Sequence, residues 1–130
     1  MYILANGRLI TRDAALPCLP DGGVAIDGAK IQAVGTTAEL RSRYPEAAFV
    51  DARGGVIMPG LINAHTHIYS ALARGLSIEG YSASNFLEVL EGQWWNIDRH
   101  LTLAGTRASA DALYLDCIKQ GVTTIFDHHA

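Results

Sequence analysis

The chain has 130 residues, 49% of them hydrophobic and 18% charged, a composition that suits one ordinary globular domain and argues against disorder. Its formal charge is −3, with no block of like charge, so nothing electrostatic points to a nucleic-acid partner or an anionic membrane surface. No apolar run approaches the ~20 residues of a membrane-spanning helix, the first residues lack the order of a signal peptide, and Cys18 and Cys117 form no CxxC, so free thiols in a reducing cytoplasm are the simpler reading, with a disulfide left open.

The first fifty residues read as short strands and tight turns. Tyr2–Leu4 and Arg8–Thr11 are apolar-rich runs separated by Asn6-Gly7. Val24–Ile26 and Lys30–Val34 flank Asp27-Gly28, a strong hairpin signal because a type I′ turn needs positive φ at both central positions. A short helix is expected over Thr37–Tyr44, stopped by Pro45, which disfavours a helical conformation in the residue before it. Phe49–Asp51 returns as a strand. Nothing in this small β unit suggests chemistry.

The character changes after Gly54-Gly55. Val56-Ile57-Met58 is a short apolar stretch, Pro59-Gly60 a turn signal, and Leu61–His67 an apolar run that turns polar at its end. A buried parallel strand bearing functional groups at its C-terminal end has this pattern. Ser77–Ser84 reads as loop. Asn85–Glu91 reads as a short helix in which Asn85 and Glu88 resemble a capping box. Thr102–Gln120 is expected to be a long helix, capped by Thr102 and stopped by Gly121, with Ala104, Ala108, Ala112, Leu115 and Lys119 along one face. Val122–Asp127 is then a β-branched strand. Strand, helix, strand implies parallel pairing and a right-handed crossover.

His65-Thr66-His67 is the strongest chemical feature. Side chains at i and i+2 of a strand share a face, so two imidazoles there can each give one nitrogen to one divalent ion. The competing reading is a hydrogen-bonded histidine pair at a strand end. Asp127 and His129 share one face of the second strand's end and His128 takes the other; they either support a site or form a polar cluster facing water. Trp94-Trp95 either lines a pocket for a planar substrate or packs as lid and core. Arg74 suits an anionic group or an ion pair, and Cys117 a small buried apolar position.

Gly55–His67 resembles the first-strand signature of the amidohydrolase superfamily. Tyr69–Gly75 is similar to the branch containing chlorohydrolases, guanine deaminases and adenosine-derivative deaminases, and Gly121–Asp127 resembles that branch's second barrel strand. Leu87 to Ala130, with Trp94-Trp95 and the Asp127-His128-His129-Ala130 ending, most resembles the SsnA-type aminohydrolases.

The resemblance implies an α/β fold: part of a small β-sandwich over residues 1–55, then over 56–130 the first strands and helices of a TIM-type (β/α)8 barrel. A full barrel takes about 250 residues, so an incomplete one is expected here, the N-terminal fragment of an enzyme and inactive alone. The implied activity is hydrolysis of a non-peptide C–N bond in an amino-substituted heterocycle, releasing ammonia or an amine. The implied cofactor is one divalent metal ion, zinc or alternatively iron, on His65 and His67, with Trp94, Asp127, His128 and His129 facing a small-molecule substrate. The remaining ligands and the general acid/base belong to later strands. A cytoplasmic location is expected, and a homo-oligomer of the full-length enzyme is allowed. Two rivals stand beside this reading. One is a non-catalytic truncated homologue or split-chain subunit. The other is a binuclear cyclic amidase with a carboxylated lysine, away from which Arg74-Gly75 and the Asp127-His128-His129 ending lean.

Overall fold

A computed structural model describes residues 1–129; Ala130, which closes the resemblance above, lies outside them. The chain forms two compact units, Met1–Pro59 and Gly60–Ala130.

The first unit is a mixed sheet. Strands β1 (Tyr2–Ile10), β2 (Cys18–Asp27), β3 (Lys30–Thr36) and β4 (Ala48–Asp51) lie in the order β3-β2-β1-β4, and β5 (Val56–Ile57) also pairs with β1. β1 runs antiparallel to β2 and parallel to both β4 and β5. Its side chains alternate, so that Ile3, Ala5, Gly7 and Leu9 point inward, as the period of two requires of a half-buried strand. Ile3, Ala5 and Ala25 meet Leu40 of helix α1 (Thr37–Arg43) in one core cluster; Leu9, Val24 and Ile57 form a second. Helix α1 begins with a capping box: the Thr36 hydroxyl accepts from the Glu39 amide, and the Glu39 carboxylate accepts from the Thr36 amide at 2.8 Å. These bonds satisfy two of the donors that a helix start leaves unpaired.

Two expectations are corrected here. Asn6-Gly7 does not reverse the chain. β1 runs through it as one strand with register shifts between Leu4 and Leu9. Asn6 takes φ 60°, its amide nitrogen Nδ2 donates to Asp51 Oδ1 at 2.6 Å, and a side chain on Gly7 would meet the Gly55 carbonyl oxygen at 2.6 Å. The dipeptide therefore forms a bulge where neighbouring chain crosses closely, a recognised use of such residues. The hairpin is real but shifted by one residue. Asp27 pairs with Lys30, the loop is Gly28-Ala29, and of the two only Gly28 has positive φ. Positive φ at the first loop position is the II′ pattern rather than I′. The boundary between units falls after Pro59, because Val56 and Ile57 pair with β1.

The second unit is built on a parallel pair, β6 (Leu61–Thr66) and β7 (Val122–Asp127), joined through helix α4 (Leu103–Lys119). Gly60 permits their approach: a Cβ there would lie 2.2 Å from the Thr123 hydroxyl. After β6 the chain makes a 3-10 turn over Ile68–Ala73. Further on come helix α2 (Phe86–Val89), a π-type turn Leu90–Trp94 and helix α3 (Trp95–Arg99). Asn85 caps α2 by accepting from the Glu88 amide at 3.1 Å, and the Glu88 carboxylate is held below its usual range by the Ser84 amide and hydroxyl and by Asn85. Thr102 caps α4 at the Gly105 amide, 3.0 Å away, and Gly121 follows the helix end at φ 75°.

The inward side of α4 differs from the alanine-rich stripe expected. Ser109 and Cys117 are buried, with Thr106, Ala110, Ala112 and Leu113 partly so, whereas Ala104, Ala108, Leu115 and Lys119 of the expected stripe are exposed. Apolar residues occur on both sides of this helix, so periodicity alone does not choose between them. The face that packs on the 3-10 turn and on β7 is the one carrying Ser109 and Cys117. Among the described residues no helix is long and apolar enough to cross a membrane, and both cysteines are free thiols, Cys18 exposed and Cys117 buried.

Candidate metal centre

The C-terminal ends of β6 and β7 lie together because Thr66 is in register with Asp127. The same-face placement of His65 and His67 follows from their i, i+2 spacing, and their Nε2 atoms stand 3.2 Å apart. His67 Nδ1 is 2.8 Å from the carbonyl oxygen of His128. A carbonyl can only accept, so Nδ1 carries the proton and donates. In the neutral ring this leaves the Nε2 lone pair facing His65 Nε2 at hydrogen-bond distance, 3.2 Å, so that without an ion His67 Nε2 is the acceptor of a hydrogen-bonded histidine pair. Fixing a ring nitrogen with a backbone carbonyl is the usual way in which a metal-binding histidine is oriented.

The pair fits a divalent ion in its donor chemistry and in its spacing. Two nitrogens at about 2.0–2.1 Å from one tetrahedral ion stand about 3.3–3.4 Å apart, close to the 3.2 Å found here. Among the described residues, no group of three or more His, Cys, Asp or Glu side chains is placed to hold an ion. A catalytic zinc site takes three protein ligands and an open position, one ligand more than this histidine pair supplies.

The other expected residues gather around this pair. The Asp127 carboxylate is shared: Oδ1 accepts from the Ile68 amide and Oδ2 from His129 Nδ1, each at 2.8 Å. The His128 ring lies 4.8 Å from that of His65 and 5.9 Å from that of His67, and the Trp94 ring lies 5.7 Å from that of His67, centre to centre. Trp94 reaches this position from the π-type turn, an irregularity that often marks functional sites. Gly92 in the same turn leaves room for the Tyr81 ring, which a Cβ would meet at 2.2 Å. A cavity of about 360 Å³ opens beside His67, lined by Ser70, Arg74, Gln93, Trp94 and Leu113 among others. Arg74 also faces Asp116 at 3.7 Å, an exposed pair of the kind that contributes at most about 1 kcal/mol.

Sequence reasoning passed over several residues at this site. Tyr69 is buried under the His129 ring, 5.0 Å between centres. Its hydroxyl pKa is pushed up, first by burial and then by Asp98 and Asp127. Asp98 Oδ1 is buried without a hydrogen-bond partner. Ser109 Oγ donates to the Ile68 carbonyl at 2.7 Å and accepts from the Leu72 amide at 3.3 Å. Tyr69 lies two residues beyond His67 but inside the 3-10 turn, where a strand's period of two no longer applies. Ser109 carries no signal beyond being a lone polar residue on the inner side of an alanine-rich helix.

The match to known proteins spans both units. The bacterial imidazolonepropionase-like composite domain matches residues 22–47. The 5'-deoxyadenosine deaminase of Methanococcoides burtonii is 32% identical over 125 residues, 96% of this chain and 27% of the relative. The 5-methylthioadenosine/S-adenosylhomocysteine deaminase 1 of Syntrophus aciditrophicus is 30% identical over 127 residues, 96% of this chain and 28% of the relative. Among solved structures, the atrazine chlorohydrolase TrzN from Arthrobacter aurescens TC1, complexed with zinc, superposes with a TM-score of 0.78 at 33% identity, over 99% of this chain and 29% of that one. Guanine deaminase of E. coli shares the fold at a TM-score of 0.78 and 20% identity, over 100% of this chain and 32% of that one. The fold is thus the mixed α/β arrangement of amidohydrolases. The chain is similar over both units to amidohydrolases of the deaminase and chlorohydrolase kind, and spans a little over a quarter of the length of the curated relatives it matches.

Proposed function

We propose that this chain forms the N-terminal part of a metal-dependent aminohydrolase that hydrolyses a C–N bond of an amino-substituted heterocycle, releasing ammonia or an amine. The observation that carries the reading is the convergence of the His65 and His67 Nε2 atoms at 3.2 Å, with His67 Nδ1 bound to the His128 carbonyl. His65 and His67 would hold the ion, zinc in preference to iron by analogy with the zinc in TrzN. When bound, a divalent ion supplies a water acidic enough to attack at neutral pH.

The chain's own residues then have separable tasks. The His128 carbonyl keeps the proton of His67 on Nδ1. Asp127 fixes the backbone immediately after His67 and orients His129. Trp94 offers a flat face at the edge of the cavity, suited to stacking a planar heterocycle. The reaction is the one that the relatives' names describe for adenosine derivatives. A TIM-type barrel that starts in the second unit, with the first unit as part of a β-sandwich, belongs to the same proposal. In its support, Leu61, Ile62 and Phe126 on the two-stranded sheet are exposed, apolar positions that further barrel strands and helices would cover. The other ligands and the general acid/base would come from those strands, and the location is proposed as cytoplasmic.

The test is an ammonia-release assay on aminopurines, aminopyrimidines and aminotriazines, using the product of the complete reading frame and its His67→Ala variant, with bound metal quantified in both. Turnover that falls at least about 10³-fold together with metal content supports the reading. Turnover unaffected by His67→Ala sinks it. Activity appearing only with a second chain that supplies ligands would favour the split-subunit alternative.

A further inference from the structure

Ile68, the residue after His67, has both of its backbone polar groups bound by side chains from distant elements. Its amide donates to Asp127 Oδ1, at the end of β7, at 2.8 Å. Its carbonyl accepts from Ser109 Oγ, in the middle of α4, at 2.7 Å. Ser109 is 1% exposed, and the same hydroxyl accepts from the Leu72 amide one turn further along the 3-10 segment, at 3.3 Å. One buried hydroxyl therefore closes a bridge between α4 and the segment that leaves His67. The peptide joining His67 to Ile68 is held on its other side as well, because the His67 carbonyl accepts from the Ser70 amide at 3.2 Å.

We infer that Ser109 is a positioning residue for His67. It fixes the 3-10 turn, and through it the direction of the His67 imidazole, so that Nδ1 meets the His128 carbonyl and Nε2 faces His65. A serine inside a helix often spends its hydroxyl on its own preceding turn, whereas this one is spent wholly on another element. Truncating it leaves the Ile68 carbonyl and the Leu72 amide without the partner they share at a position where Ser109 itself is buried, and such groups relax by moving. The turn that moves is the one that aims His67. The ligand role of His67 rests on the function proposed above; its orientation does not.

The experiment uses the protein with Ser109→Ala and Ser109→Thr, with two readouts. Imidazole ¹⁵N NMR, at one pH and without metal, reports which nitrogen of His67 carries the proton. Titration with Co²⁺ alone, followed by its visible absorption, reports affinity. In the parent protein His67 is expected to be protonated on Nδ1. In Ser109→Ala that preference is expected to give way to a mixture of tautomers and Co²⁺ affinity to fall about 10-fold, the lower range for residues that support a metal ligand. Ser109→Thr, which keeps the hydroxyl, is expected to restore both. An unchanged His67 signature with Co²⁺ affinity within twofold in Ser109→Ala overturns the inference. If Ser109→Ala does not fold, Ser109→Cys, a weak donor of similar size, is judged by the same two criteria. Loss of the Nδ1 preference in a protein that binds no Co²⁺ would support the positioning role and refute the metal reading, so the two failures are distinguishable.

Discussion

Asp127→Ala should destabilise the second unit more than any other single change to the polar groups at the strand ends. The carboxylate makes two hydrogen bonds of 2.8 Å, to the Ile68 amide and to His129 Nδ1, and its side chain is only 22% exposed. A hydrogen bond to a charged group contributes about 1.5–3 kcal/mol. The bond to His129 is discounted, because that ring is 47% exposed and its pairing is screened by water. The expected loss is therefore about 2 kcal/mol, nearly all from the Ile68 amide. For a unit of this size that corresponds to a fall in Tm of roughly 8–16 °C. Asp127→Asn keeps an acceptor for the Ile68 amide and loses only the charge, so it should cost about half as much. Urea unfolding followed by tryptophan fluorescence suits the measurement, since Trp94 and Trp95 lie in this unit. A loss below about 0.5 kcal/mol in Asp127→Ala, or equal losses in the two variants, would refute the reasoning.

Other outcomes follow from single residues. Leu40→Ala empties the centre of the first unit's core, where Leu40 is 2% exposed between Ile3 and Ala25, and chemical denaturation should show a loss of about 2–5 kcal/mol. Hydrogen bonds from the Thr36 amide and hydroxyl hold the Glu39 carboxylate below its ordinary value of 4.5. The stability this linkage contributes is therefore present above pH 4.5 and lost as pH falls through the lower folded-state value. In Tm measured against pH, Thr36→Ala should flatten that acid limb relative to the parent, and an identical limb would count against the capping box. Trp94→Ala should raise KM for a planar substrate by about 10-fold or more, from loss of roughly 1.5 kcal/mol of stacking, without altering metal content; a change in metal content alone would remove Trp94 from the substrate's side.

The parts of this fold legible in the sequence are those set by local pattern. The hairpin after β2, the capped helix before Pro45 and the long helix between Thr102 and Gly121 each have start and stop residues adjacent in sequence. His65 and His67 were legible because a strand's period of two places them together regardless of tertiary context. Asn6-Gly7 was misread because its fate depends on β4 and β5, which arrive some forty residues later and run parallel to β1. A local turn preference cannot register that competition. The inner face of α4 was misread for a similar reason, since the packing partner, not the helix's own composition, selects Ser109 and Cys117. The π-type turn that presents Trp94 has no recognised local signature. The Asp127–Ile68 and Ser109–Ile68 bonds join positions 59 and 41 residues apart and emerge only once the chain is folded.

The central claim, that His65 and His67 are two ligands of one ion, is tested most directly by an anomalous-difference map at the zinc edge from crystals grown with zinc. The expected result is one peak about 2.0–2.1 Å from both Nε2 atoms, with His67 Nδ1 still bonded to the His128 carbonyl. No peak at the pair, or a peak on Nδ1 of His67, would contradict it.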